Sequence, residues 1–225
     1  MFRQGISKTE ITVLLFILLI IATGFVLVFA NMPLFISYTI EDGLVEWLTV
    51  LGLLLGSFAS LRHTFTLRKE RRFIFLLATF LLGIFLFFAA GEEISWGQRI
   101  LGIESSDYFK QHNTQGETNF HNLVLGGVRI NRWIFSFGLI TILSIYVILM
   151  PVLYTRKQWM KRFVDYWGIP LPKIYQLIGC VLLFILTTLI PHEKRAELLE
   201  CGIAFFLFLI IAFPMNERLF VKNQS

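Results

Sequence analysis

Residues 91–99 read GEEISWGQR, two adjacent carboxylates followed by a serine, a glutamine and an arginine, directly after a long apolar run. Glu92 and Glu93 in that setting can serve as acid and base or as ligands of a cation, and Arg99 can hold an anion. A second polar stretch, QHNTQGETNFHN, follows in the same loop. From Asn113 its odd positions are Asn113, Gln115, Glu117, Asn119 and His121, with Asn122 next, and every one of these side chains can accept a hydrogen bond or bind a metal. An extended strand would put them on one face. A third stretch, PHEKRAELLEC, starts at Pro191, which suits the first turn of a helix. On that helix Glu193, Glu197 and Glu200 form one stripe, with His192 one position off it. The helix dipole accounts for Glu193. It does not account for Glu200, two turns in and beside an apolar run. The fourth piece is SYTIEDGLVEW, where Asp42-Gly43 signals a turn and Glu46 lies about one turn inside the next apolar segment. Glu46 either reaches back to a wet boundary or joins the other acids.

If these pieces meet, Glu92, Glu93, Glu117, His121 and Glu197 make a carboxylate and imidazole set suited to a divalent metal such as zinc or manganese. Gln98, Asn113, Gln115, Asn119, Asn122, His192, Glu46 and Glu200 would complete the polar site. A metal-free hydrogen-bonded network is the competing expectation. The helix continuing past Gly91 would put Glu92, Ser95 and Arg99 on one face. HExxH, paired CxxC and EF-hand patterns are absent, as are a GxSxG elbow, a phosphate-binding glycine loop and a dinucleotide fingerprint.

What positions these residues is hydrophobic. Of 225 residues 56% are hydrophobic and only 16% charged, against roughly a quarter charged in soluble domains. Six segments approach the roughly 20 apolar residues a bilayer requires: about 11–30, 44–61, 73–90, 133–154, 174–190 and 197–214. Period-two alternation is lacking, which argues against a barrel. In hydrocarbon the backbone must satisfy itself, which leaves helices. The expectation is an all-α integral membrane protein, a single bundle of six transmembrane helices with a long loop at 91–132. The first segment, with Arg3 and Lys8 before it, exceeds the 7–15 residues of a signal-peptide core and reads as a retained span. Pro151 marks a kink or an end in the fourth segment. Cys180 and Cys201 lie at different depths and read as packing residues. No internal repeat stands out, against an inverted-repeat transporter.

Most of the 20 Lys and Arg fall at the chain ends and in the second-to-third and fourth-to-fifth connections. Basic loops stay cytoplasmic, so both termini belong inside. RHTFTLRKERR then meets anionic lipid headgroups, His63 among them, and a nucleic-acid role is a poor second. Most of the 15 Asp and Glu, with His112, His121 and His192, fall on the opposite side, a bias that topology does not require.

GEEISWGQR followed by NTQGETNFHN, with EDGLVEWLT before the second span, resembles an uncharacterised family of small bacterial multi-span membrane proteins over residues 41–122. The resemblance implies a bacterial cytoplasmic-membrane protein and no particular activity. A looser similarity of type links the chain to membrane-embedded metal hydrolases such as the alkaline ceramidases, but their seven spans and paired carboxy-terminal histidines are missing here. The first expectation is therefore an interfacial enzyme acting on a lipid or lipid-linked substrate by hydrolysis or group transfer. In it Glu92, Glu93, Glu117 and His121 bind a metal or act as acid and base, and Arg99 holds a headgroup. The second is a proton- or cation-coupled transporter using Glu46 and Glu200, with Thr49, Ser57, Ser60, Thr187 and Thr188 as its path. The third is a non-enzymatic assembly or sensing module.

Overall fold

The computed structural model describes residues 5–120, 122–125, 128–129 and 138–222. It is helical, with one minimal antiparallel pairing of β1 (Val124–Leu125) and β2 (Val128–Arg129). Among the described residues three helices are long and apolar enough to cross a membrane: α1 (Lys8–Ala30), α3 (Leu44–Leu67) and α4 (Phe73–Glu93). α2 (Met32–Tyr38) is a short helix between α1 and α3. Beyond α4 come α5 (Gln98–Leu101) and α6 (Asp107–His112). The fourth apolar segment is described from residue 138 as α7 (Leu139–Ser144), a π-helical stretch (Ile145–Leu149) and α8 (Met150–Arg156). The π-helical stretch ends two residues before Pro151, whose missing N–H and ring disturb the preceding turn. α9 (Gln158–Trp167), α10 (Ile174–Thr188) and α11 (Arg195–Ala212) complete the chain. α10 has 15 residues, about 22 Å at 1.5 Å per residue. α11 keeps three charges, at Arg195, Glu197 and Glu200, in its first two turns.

α3 packs between α4 and α11. Its contact face is small and polar: Thr49, Gly52, Gly56, Ser57 and Ser60 are buried. Ser57 Oγ donates to Gly83 O at 2.8 Å and Ser60 Oγ to Thr79 O at 2.7 Å, both on α4. Such residues let two helix backbones approach closely without leaving a hydroxyl unpaired. Toward α11 the approach is tighter. A Cβ on Gly52 would lie 3.0 Å from the Ala204 Cβ and 3.1 Å from the Phe205 nitrogen, which cannot move aside. His63 does not face outward as expected for a headgroup contact. Its Nε2 lies 3.0 Å from Ile211 O of α11.

α1 buries one stripe, Ile17, Ile20, Ile21, Gly24 and Val28, against α11 and α10, while Leu15, Leu18, Leu19 and Phe29 stay exposed. A helix apolar on both sides needs an apolar surrounding. Its start is fixed by a capping box, with Ser7 Oγ accepting from Glu10 N at 3.2 Å and Glu10 accepting from Ser7 N at 2.8 Å. The same carboxylate, 1% exposed, takes Lys173 Nζ at 2.8 Å and the Tyr175 hydroxyl, which staples α1 to α10. Gln176, fully buried, accepts from Lys173 N at 2.8 Å and donates to Leu209 O at 3.1 Å. Asn216 bonds Leu171 N at 3.0 Å and Ile169 O at 2.9 Å. This end of the bundle is therefore closed by side-chain to backbone bonds.

Two measurements test these contacts. Gly52→Leu should push α3 off the α11 backbone and cost about 1–3 kcal/mol, the range for overpacking, read as a lower melting temperature in detergent. Lys173→Met should leave Glu10 buried without its cation and cost about 3–5 kcal/mol, and adding Glu10→Gln should restore part of that loss.

Candidate functional site

The GEEISWGQR stretch does not continue α4. The helix ends at Glu93, and Ser95, Trp96 and Gly97 take left-handed backbone angles with φ of 46°, 56° and 72°. Left-handed conformations disfavour side chains bearing a Cβ, at roughly 1–2 kcal/mol per residue. Contacts on every side hold the turn in place. Trp96 folds back over α4, with its ring 5.1 Å from that of Phe88 and its Nε1 donating to Glu92 Oε1 at 2.8 Å. Gly91 must lack a Cβ, because one would lie 2.8 Å from the Trp96 ring. Ser95, 1% exposed, donates to Glu117 Oε2 at 2.5 Å and accepts from Asn119 Nδ2 at 2.7 Å. The turn thus still brings Ser95 and Arg99 to one partner, Glu117, by a different geometry from the straight helix expected.

Arg99 joins three segments. Its guanidinium pairs with Glu117 in the loop and with Asp42 in the turn between α2 and α3. Partial burial opposes its charge, but Glu117 and then Asp42 outweigh that and push its pKa above the ordinary arginine value. Asp42 adopts φ 57°, and its backbone N–H donates to Glu46. The turn signalled by Asp42-Gly43 is present and is locked by the acid that follows it.

The polar run 113–122 is a compact loop, not an extended face. Gly116 turns the chain at φ 71°, and Asn113 bridges Leu123. Asn113 Nδ2 donates to Asn119 Oδ1 at 2.9 Å, and Asn119 Oδ1 accepts from Asn122 N at 3.0 Å. Gln115 donates to Glu41 at 2.6 Å and accepts from Asn122 Nδ2 at 2.7 Å. Gln98 donates to Ser105 at 2.6 Å and accepts from Thr118 N at 2.8 Å. Glu92 accepts from Phe120 N at 2.6 Å. These carboxamides join parts of the loop to one another, and Gln115 ties it to the α2–α3 turn, while Glu92 and Ser95 hold it at the end of α4. His121 lies outside the described residues.

A second tier lies behind the first. Glu46 of α3, Glu93 of α4, and Glu197 and Glu200 of α11 come within Coulombic reach of one another. Glu197 has a cation, Lys194, at 3.4 Å. Glu93 and Glu200 have no hydrogen-bond or ion-pair partner among the described residues. Pro191 and His192–Lys194 form a bend and a turn before α11 begins at Arg195, so Glu193 falls outside the expected stripe and only Glu197 and Glu200 share the helix. His192 accepts from Lys194 N at 3.1 Å and packs against Phe35.

The expected metal set is therefore divided. Glu117 is committed to Arg99 and Ser95, Glu92 to Trp96 and Phe120, while Glu93 and Glu197 belong to the second tier. Among the described residues no group of three or more His, Cys, Asp or Glu side chains is placed to hold a metal ion. A cavity of about 230 Å³ lies elsewhere, between the fourth apolar segment and the helices α10 and α11, lined by groups such as Val147, Phe184 and Ile203 and by no acid. Comparison with protein-family models, curated proteins and solved structures finds no match to this chain.

Two roles were not evident in the sequence, Asp42 as the partner of Arg99 and Glu41 as the partner of Gln115. The signal available was the acidic pair in EDG opposite a loop holding one arginine and many carboxamides. Arg99→Ala should remove the ionic tie between the loop and the α2–α3 turn and so loosen the loop. Hydrogen bonds to charged groups contribute about 1.5–3 kcal/mol each, so limited proteolysis within residues 102–123 should speed up by about tenfold or more.

Proposed function

We propose that the chain is a polytopic protein of the bacterial cytoplasmic membrane, crossing it six times with both ends inside, and that its outward acid cluster binds and releases a small cation, a proton included. The spans are α1, α3, α4, the segment containing α7 and α8, α10 and α11. The basic connections at Arg68–Arg72 and Arg156–Arg162 support the cytoplasmic side.

The observation that carries this reading is the state of Glu93 and Glu200. Every carboxylate of the outer tier has donors, whereas among the described residues these two have none, and they sit within reach of Glu46 and Glu197. Among the described residues the four carboxylates have Lys194 and, at Glu46, Arg99 as nearby cations, so they repel one another and favour a further positive charge. Acids placed this way at the end of apolar helices belong to ion and proton pathways. A polar stripe leads from the cluster along α3. Glu46, Thr49, Ser57, Ser60 and Thr64 share one side, the first four buried, and Thr79 of α4 meets Thr64 at 2.9 Å. The loop tied by Arg99 would then cover the outward mouth. The hydrolytic reading has less support, since Arg99, its headgroup clamp, is already paired with two carboxylates.

The test uses the full chain in proteoliposomes on a solid-supported membrane, with proton and sodium concentration jumps. Wild type should give a charge displacement, and Glu93→Gln and Glu200→Gln should each fall to the level of protein-free vesicles. Because neutralising an unpaired acid relieves repulsion, both variants should melt no lower than wild type. A double variant that responds like wild type overturns the proposal. Variants that instead unfold identify the acids as structural.

A further inference from the structure

The helix α9 joins two apolar segments and differs from the other described helices in its mix of exposed aromatic and basic residues. Met160 and Val164, 8% and 0% exposed, pack onto Tyr146, Met150, Leu153 and Leu171. Beside that buried line Trp159, Phe163 and Tyr166 fall at i, i+4 and i+7, with Trp167 adjoining. They are exposed by 62%, 45%, 47% and 38%. Gln158, Lys161, Arg162 and Asp165 form the remaining face. Asp165 is occupied, accepting from the Tyr154 hydroxyl at 2.9 Å and lying 3.8 Å from Arg218. Lys157, Lys161 and Arg162 have no acidic partner among the described residues. A protein in water would gain nothing by exposing four aromatic rings in a row. A short helix with an aromatic stripe and free cations fits the plane where acyl chains meet headgroups.

We infer that α9 is a lipid-binding element that seats its aromatic stripe in the cytoplasmic leaflet and recruits anionic phospholipids through Lys157, Lys161 and Arg162. The inference rests on the six-span reading for the side on which α9 lies. The charges select the partner, since an aromatic stripe alone would enter any leaflet, while three unpaired cations favour headgroups of net negative charge. Because Met160 and Val164 clamp α9 to the fourth apolar segment, headgroup binding here would hold that segment at a fixed depth.

Nanodiscs of the full chain with brominated lipid report this directly. The probe is phosphatidylglycerol with brominated chains in phosphatidylcholine discs, compared with the same fraction of brominated phosphatidylcholine. The part of the tryptophan quenching lost in Trp159→Phe/Trp167→Phe belongs to α9, and the remainder includes Trp47 of α3. That α9 part should be larger for brominated phosphatidylglycerol. The excess should shrink by about tenfold or more in Lys157→Gln/Lys161→Gln/Arg162→Gln, and for wild type it should fade in high salt. Equal quenching by the two lipids, or a preference that survives both the triple substitution and salt, overturns the inference. Quenching confined to the remainder would show that α9 faces water or another protein, while the membrane reading stands. No quenching of any tryptophan would sink both.

Discussion

Arg99 is the residue on which the acid end of the molecule depends. It is one cation between two carboxylates that are far apart in the chain, Asp42 in the turn before α3 and Glu117 in the loop after α6. Its position comes from the left-handed turn at Ser95–Gly97, which ends α4 and redirects the chain. The turn persists because Trp96 rests over Gly91 and because Ser95 meets Glu117 and Asn119. Strained backbone persists only where its surroundings over-determine it, and here aromatic packing, ionic pairing and carboxamide bonding all converge on three residues. The arrangement closes the loop over α4 and leaves the second tier of acids behind it.

The opposite end works by other means. Glu10 is satisfied by Ser7, Lys173 and Tyr175, and Gln176 and Asn216 bind free backbone groups of neighbouring segments. Glu10, unlike Glu93 and Glu200, has both a cation and hydrogen-bond donors. The acid buried at this end is thus paired, whereas Glu93 and Glu200 at the other end have no hydrogen-bond or ion-pair partner among the described residues.

The helices α1, α3 and α4 were legible because their apolar runs leave the backbone no alternative, and the expected starts at 44 and 73 match the helices Leu44–Leu67 and Phe73–Glu93. The left-handed turn was not legible, since among its three residues only Gly97 carries a signal for positive φ. The polar run was misread as extended because odd-position spacing ignores Gly116, which reverses the chain. Pro191 was placed one turn too deep in α11 because His192–Lys194 could equally begin a helix or form the turn they do. The sequence suggests one set of Glu92, Glu93, Glu117, His121 and Glu197 with Glu46 and Glu200 around it, whereas in the structure Glu46, Glu93, Glu197 and Glu200 lie near one another and Glu92 and Glu117 bond elsewhere. The division of the site into two tiers depends on Asp42 and Arg99, separated by 57 positions, and such a pairing leaves no mark in either local sequence.

α10 offers one more consequence. Its 15 residues cover about 22 Å, whereas the hydrocarbon of a bilayer is about 30 Å thick. In the six-span arrangement we propose, lipid beside so short a helix would compress, drawing the aqueous boundary toward it. α11 is packed against α10 through Gly202 and Leu183, one turn or less from Glu200. The field that an ion must cross to reach that carboxylate would then be steeper and narrower than the membrane as a whole, so that a given voltage acts over a shorter path.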